Sequence, residues 1–120
     1  MIHLSDKKCV ACEGGTPPLS KSVIETYRAQ LKTPWVVLDD NPEGSQSNHG
    51  AGKISQEFKF KDFEEALAFV NKVAEIAKSE GHHPDLHIFY NKVKIELWTH
   101  AVQGLSENDF ILAAKIEKLL

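Results

Sequence analysis

Hydrophobic positions recur with two different periods along the chain, and the changes of period delimit its elements. Ile24, Tyr27 and Leu31 fall at helical spacing behind Ser20 and Ser22, either of which can cap, and Thr33-Pro34 stops the run. A first helix is therefore expected over about residues 20–31. Trp35-Val36-Val37-Leu38 is β-branched and aromatic and reads as a strand. Residues 39–52 are rich in Asn, Gly and Ser, a polar loop. From Lys53 the period is two: Ile54, Phe58 and Phe60 face one way, while Ser55, Glu57 and Lys59 face the other. That is a strand with one wet face.

The clearest helix follows. Asp62 suits an N-cap, Glu65 would complete a capping box, and Phe63, Ala66, Leu67, Val70, Val73, Ala74 and Ala77 make one apolar stripe. Gly81 stands where a left-handed residue would release the chain. Leu86-Ile88-Tyr90 and Val93-Ile95-Leu97 alternate on either side of Asn91-Lys92, a loop of hairpin length. Ser106 opens a last helix, with Asp109 in the third position of a second capping box and Leu112, Ala113, Ile116, Leu119 and Leu120 along one side. The order is α-β-β-α-β-β-α. Strands that come as hairpins predict an antiparallel sheet, so the class is α+β: a four-stranded antiparallel sheet with three helices on one face. Residues 1–120 are expected to form one domain, with 1–18 an irregular N-terminal segment.

Composition narrows the function classes. The 120 residues carry a net charge of -3, with Lys and Glu interleaved, which argues against a surface built for nucleic acid. The first residues lack the apolar run of a signal peptide, and no stretch is long and apolar enough to span a bilayer. A soluble cytoplasmic protein without a membrane partner is the expectation.

Chemistry concentrates in the histidines. His3 and His49 fall in tail and loop, where exposed polar residues need no further account, and His87 faces solvent or a site mouth by alternation. His82 and His83 sit between Gly81 and Pro84, on a bend that proline stiffens. His100 follows the second hairpin strand and shares a face with Trp98. Closing the hairpin brings the start of one strand beside the end of the other, so His82, His83 and His100 meet on the open sheet face. Such a cluster can exchange protons near neutral pH, bind a transition metal, or simply terminate a helix with cations near its negative end. Spacing alone leaves all three open.

The run Glu80-Gly81-His82-His83-Pro84-Asp85-Leu86, then Tyr90-Asn91-Lys92-Val93, Thr99-His100 and Gly104-Leu105-Ser106-Glu107-Asn108-Asp109 resembles the pterin-4a-carbinolamine dehydratase family. His82, His83, Pro84, Tyr90, His100 and Asp109 match the family pattern without a gap. Phe58-Lys59-Phe60-Lys61-Asp62-Phe63 and Ala66-Leu67-Ala68-Phe69 extend the likeness to about residues 53–120, and Cys9 to Pro18 is looser. The resemblance implies an enzyme that eliminates water from a 4a-hydroxytetrahydropterin, with the pterin as substrate and neither metal nor cofactor. It implies that His82 and His100 handle protons at the 4a-hydroxyl and that His83 positions the ring. Gly81, Pro84 and the stretch Trp98, Thr99, His100 and Ala101 would bind it, with Asp109 and Tyr90 as possible supports. Homodimers or homotetramers are implied too, and Phe69 and Ile76, beside the main helical stripe, look like surplus apolar surface for such an interface.

Two positions depart from the family. Lys78 stands where many members have a carboxylate, and Gly81 where many have Asp, so an acid orienting His82 is either absent or replaced by Glu80. Two rival functions remain in view. Cys9 and Cys12, spaced C-x-x-C, could join His82 and His83 in a zinc site, although adjacent histidines seldom share one ion. Some animal relatives also act as a dimerisation cofactor for a transcription factor, a binding role without catalysis.

Overall fold

In the computed structural model residues 4–9, 18–38 and 52–120 are described, so Cys12, His3, His49 and most of the polar loop lie outside the described residues. Helix α1 (Lys21–Arg28) starts at Ser20, whose hydroxyl accepts from the Val23 amide. It ends earlier than residue 31, because the amides of Gln30 and Leu31 turn back three residues rather than four. Strands β1 (Val36–Leu38) and β2 (Lys53–Lys59) pair antiparallel, Val37 opposite Ile54. Helix α2 (Phe63–Glu80) is capped by Asp62, which accepts from Glu65 N at 2.9 Å, and stops at Gly81, at φ 68. Strands β3 (Asp85–Phe89) and β4 (Lys92–Leu97) follow, and α3 (Glu107–Glu117) closes the chain behind a capping box of Ser106 and Asp109. The leading segment is not wholly irregular: Leu4–Asp6 form a 3-10 turn with Leu4 buried.

The sheet order is β1-β2-β4-β3, antiparallel throughout. Ile54 and Phe58 of β2 and Val93, Ile95 and Leu97 of β4 supply the core face, which the helices cover. The α+β class and the element order agree with the sequence reading. Four details differ, each for a packing reason.

The hairpin loop is Tyr90-Asn91, since Phe89 pairs with Lys92, and Tyr90 takes a left-handed φ of 54. Asn91 is committed elsewhere: its carbonyl accepts from the Phe60 amide at 2.8 Å and its side chain donates to the Phe60 carbonyl at 3.0 Å. The tie to β2 fixes the register one residue from the expected one.

The buried stripe of α2 is Ala66, Phe69, Val73 and Ala77, whereas Phe63 and Leu67 are exposed at 43% and 39%. Phe69 turns the helix this way by packing on Phe58 and Phe60, with ring centroids 5.2 and 4.9 Å apart. Phe69 thus belongs to the core, as in part does Ile76, and the surplus apolar surface lies on Phe63 and Leu67 instead. Helix α3 is buried almost all round, from Asn108 to Ala114, because it contacts α1, α2 and the 3-10 turn, while Leu120 is exposed. Ser55, assigned to the wet sheet face, is buried there opposite Glu96.

Candidate active site

The end of α2, the start of β3, the end of β4 and the start of α3 meet at one corner. Gly81 makes the first turn of it. Its left-handed φ would strain another residue although a Cβ would meet nothing within 4 Å, so the requirement is one of backbone conformation, which Asp tolerates better than most. The Gly81 and His82 amides both return to the Ala77 carbonyl, and Pro84 then stiffens the entry to β3. Asp85 pairs with Glu96, which sets His82 near Thr99 across the hairpin.

At the centre is Asp109, fully buried at 0% exposure. Its Oδ1 lies 2.6 Å from His82 Nε2. Its Oδ2 accepts from Thr99 Oγ1 at 2.8 Å and from the Ser106 amide at 3.0 Å. Thr99 and Ser106 hydroxyls meet at 2.7 Å, and a Thr99–Gly104 bridge closes the 3-10 turn His100–Val102 between them. One carboxylate therefore both caps a helix and holds an imidazole. A carboxylate accepts, so the hydrogen in the His82 contact sits on Nε2, and in the neutral ring the lone pair is then on Nδ1. This is the acid that the missing carboxylates at positions 78 and 81 left unassigned. Glu80 does not take that place: its carboxylate accepts from the Cys9 amide at 2.8 Å and pairs with Lys115 at 3.7 Å. Lys78 is exposed in the last turn of α2.

His83 and His100 are exposed at the same corner, and the His100 ring stands edge-to-face with Trp98, centroids 5.3 Å apart. The Trp98 indole N–H donates to Asp85 Oδ2 at 3.1 Å. The pairing of Asp85 with Trp98, and the brace of Thr99 and Ser106, were not read from the sequence. Diagonal placement on one sheet face was the available signal for the first; for the second there was none before the two segments were known to touch.

Tyr90 is not part of the corner. It lies 70% exposed in the loop at the other end of the β3–β4 hairpin, roughly 16 Å beyond Asp85 at the rise of a strand. His87 faces the open sheet side and bonds Glu96 Oε1 at 3.1 Å. Burial pushes the Glu96 carboxyl up, but hydrogen bonds from His87 and Lys53 outweigh it and hold the group below the usual range. Cys9 packs near the corner with Sγ on the Asn108 carbonyl, and burial, with the charges of Glu80 and Asp109, pushes its thiol up to about 12. No group of three metal-ligating side chains occurs among the described residues.

Comparison with known proteins bears on this corner. The family model described as Pterin 4 alpha carbinolamine dehydratase matches residues 17–119. Proteins assigned the name pterin-4-alpha-carbinolamine dehydratase in Alkaliphilus metalliredigens and Rickettsia canadensis are 45% and 46% identical to this chain. Each match covers 98% of this chain, and 96% and 97% of the respective relative. A solved structure from Brucella melitensis, titled transcriptional coactivator/pterin dehydratase, superposes with a TM-score of 0.72 at 29% identity, over 85% of this chain and 97% of that one.

Proposed function

The chain belongs to the pterin-4a-carbinolamine dehydratase family, and from that premise we propose that it dehydrates a 4a-hydroxytetrahydropterin to the quinonoid dihydropterin, in tetrahydropterin recycling, with histidines as the proton carriers. The observation that carries this reading is the buried Asp109, which holds His82 in one tautomer within the same corner as His83 and His100.

In the reaction the C4a–O bond breaks and a ring nitrogen loses its proton. Hydroxide leaves poorly near neutral pH, so one imidazole must deliver a proton to the departing oxygen while another group accepts the ring proton. The products are the quinonoid ring and one water. Protons and electron pairs balance with no hydride moved, so the step needs no redox cofactor, and the proposal assigns the proton transfers to imidazoles without a metal. His82, with Nε2–H on Asp109, offers Nδ1 to the substrate, and the carboxylate stabilises the imidazolium when Nδ1 takes a proton. His100 serves the complementary transfer at the 4a-hydroxyl. His83 positions the ring, with Gly81, Pro84 and the backbone from Trp98 to Ala101 lining its place. Asp109 is a positioning residue in this scheme, and Tyr90 has no part in it.

We assign a homodimer or homotetramer. The exposed Phe63 and Leu67 on α2, and Ile88 and Phe89 on the free edge strand β3, are the surfaces that support it. Direct contact with nucleic acid finds little support in this chain: its open sheet face mixes Glu57, Asp85 and Glu96 with Lys53 and Lys94, not the one-signed field that a phosphate backbone attracts. Among the described residues no helix is long and apolar enough to cross a membrane.

The test is dehydration of synthetic 4a-carbinolamine by purified protein, followed by absorbance. Saturable acceleration is expected, with His82→Ala and His100→Ala each lowering kcat about 10²–10⁴-fold. His83→Ala should raise KM more than it lowers kcat. No rate above the uncatalysed one would end the dehydratase reading. Equal, mild losses from all three variants would end the division of labour alone.

A further inference from the structure

We propose that Asp85 is a positioning residue for His100, acting through the indole of Trp98; this rests on the dehydratase reading above.

Trp98 is out of place as a core residue. It follows β4 on the open sheet face, in line with Lys94 and Glu96, and is only half-buried. Its ring is fixed at two points. The indole N–H, which can only donate, reaches Asp85 Oδ2 at 3.1 Å, and the ring system meets the His100 imidazole at an interplanar angle of 67°. Edge-to-face pairs have a preferred geometry, so an indole held on one side orients the imidazole on the other.

Asp85 is well mounted for this. Pro84 locks the backbone directly before it, Glu96 pairs with it across the sheet, and its side chain is short. The hydrogen bond also has a counterpart inside. Asp109 ties His82 to Thr99 on the buried side, and Asp85 ties the residue two past His83 to the residue two before His100 on the outer side. The three imidazoles lie on the segments that these two ties join. One tie fixes a separation and leaves a hinge; two also fix rotation. His100 is exposed where His82 is mostly buried, and the Trp98 ring is a neighbour that meets it on the outer side. Proton transfer needs heavy atoms within about 2.6–3.2 Å, so the orientation of the His100 ring bears directly on the rate.

A double-mutant cycle tests the route. Steady-state kinetics are measured for Asp85→Ala, Trp98→Phe and the double variant, with Asp85→Asn as the conservative control. Asp85→Ala should lower kcat about tenfold and move KM less, as a lost edge-to-face geometry warrants. Asp85→Asn keeps an oxygen acceptor for the indole and should restore most of the rate. Trp98→Phe removes the donor and should lose as much as Asp85→Ala, with no further loss in the double variant. Nuclear magnetic resonance supplies a readout independent of turnover: Asp85→Ala should shift the Trp98 indole N–H and the His100 ring resonances together. The Trp35 indole, bonded to Glu117, should stay put as an internal control. Additive losses in the double variant would overturn the proposal, because Asp85 would then act without Trp98. A shifted indole with unmoved His100 resonances would overturn it as well. If the wild-type protein has no dehydratase activity, that reading falls, and the coupled resonances still decide whether Asp85 governs His100.

Discussion

Asp109→Asn separates the two tasks of one buried carboxylate. In the native corner Oδ1 faces the His82 Nε2–H, and Oδ2 accepts from Thr99 Oγ1 and the Ser106 amide. An asparagine has one acceptor oxygen and one donor nitrogen. Two donors face the Oδ2 position and one faces Oδ1, so the amide oxygen should stay with Thr99 and Ser106 and preserve the helix cap. Its N–H group then points at His82 Nε2, which can only accept it by moving the imidazole hydrogen to Nδ1. The ring keeps its place and loses its base. The expected loss in kcat is about 10²–10⁴-fold, the size of a general acid–base contribution. Loss of one charged hydrogen bond should lower stability by about 1.5–3 kcal/mol. Dehydration kinetics with carbinolamine read the first quantity, and urea denaturation of the same sample reads the second. A variant that loses stability by this amount yet keeps kcat within about threefold would refute the tautomer argument and leave Asp109 as a cap alone.

Glu117→Ala should destabilise the protein without touching its chemistry, since this carboxylate takes the Lys32 and Thr33 amides, the Thr33 hydroxyl and the Trp35 indole, one helix length from the site. A loss of about 2–4 kcal/mol by urea denaturation, with KM unchanged, is expected from several acceptor contacts removed at once. Glu96 and Glu107 sit below the usual carboxyl range, Glu107 through hydrogen bonds from Lys7 and Tyr27, so each contributes stability above its unfolded value that is lost as pH falls through its lower folded value. Glu96→Gln should therefore cost stability at pH 7, and the difference from wild type should vanish in acid, below the carboxylate range; a constant difference across a urea series from pH 7 to 3 would contradict this. Light scattering at micromolar concentration should give a multiple of the 13.4 kDa chain mass, and Leu67→Glu should reduce it if the exposed stripe of α2 is an interface.

Local pattern was enough for most of the elements. Capping residues, the period change at Lys53 and the left-handed exit at Gly81 are set by backbone sterics and nearest-neighbour hydrogen bonds, so they can be read a few residues at a time. The meeting of His82 with Thr99-His100 followed for the same reason, because a hairpin folds on itself whether its loop is Tyr90-Asn91 or Asn91-Lys92. Contacts between distant segments decided the rest. The α2 face was chosen by Phe69 packing on Phe58 of β2 and on Phe60 just beyond that strand, an interaction with no trace in helical periodicity. The loop register was chosen by Asn91 bonding Phe60, a residue 31 positions away. Asp109 reads locally as a capping residue, and only the docking of α3 against the β3–β4 corner brings His82 to its second oxygen. Burial then makes that contact matter: a carboxylate with no access to water must find its donors in the protein, and here they are the groups that fix the imidazole.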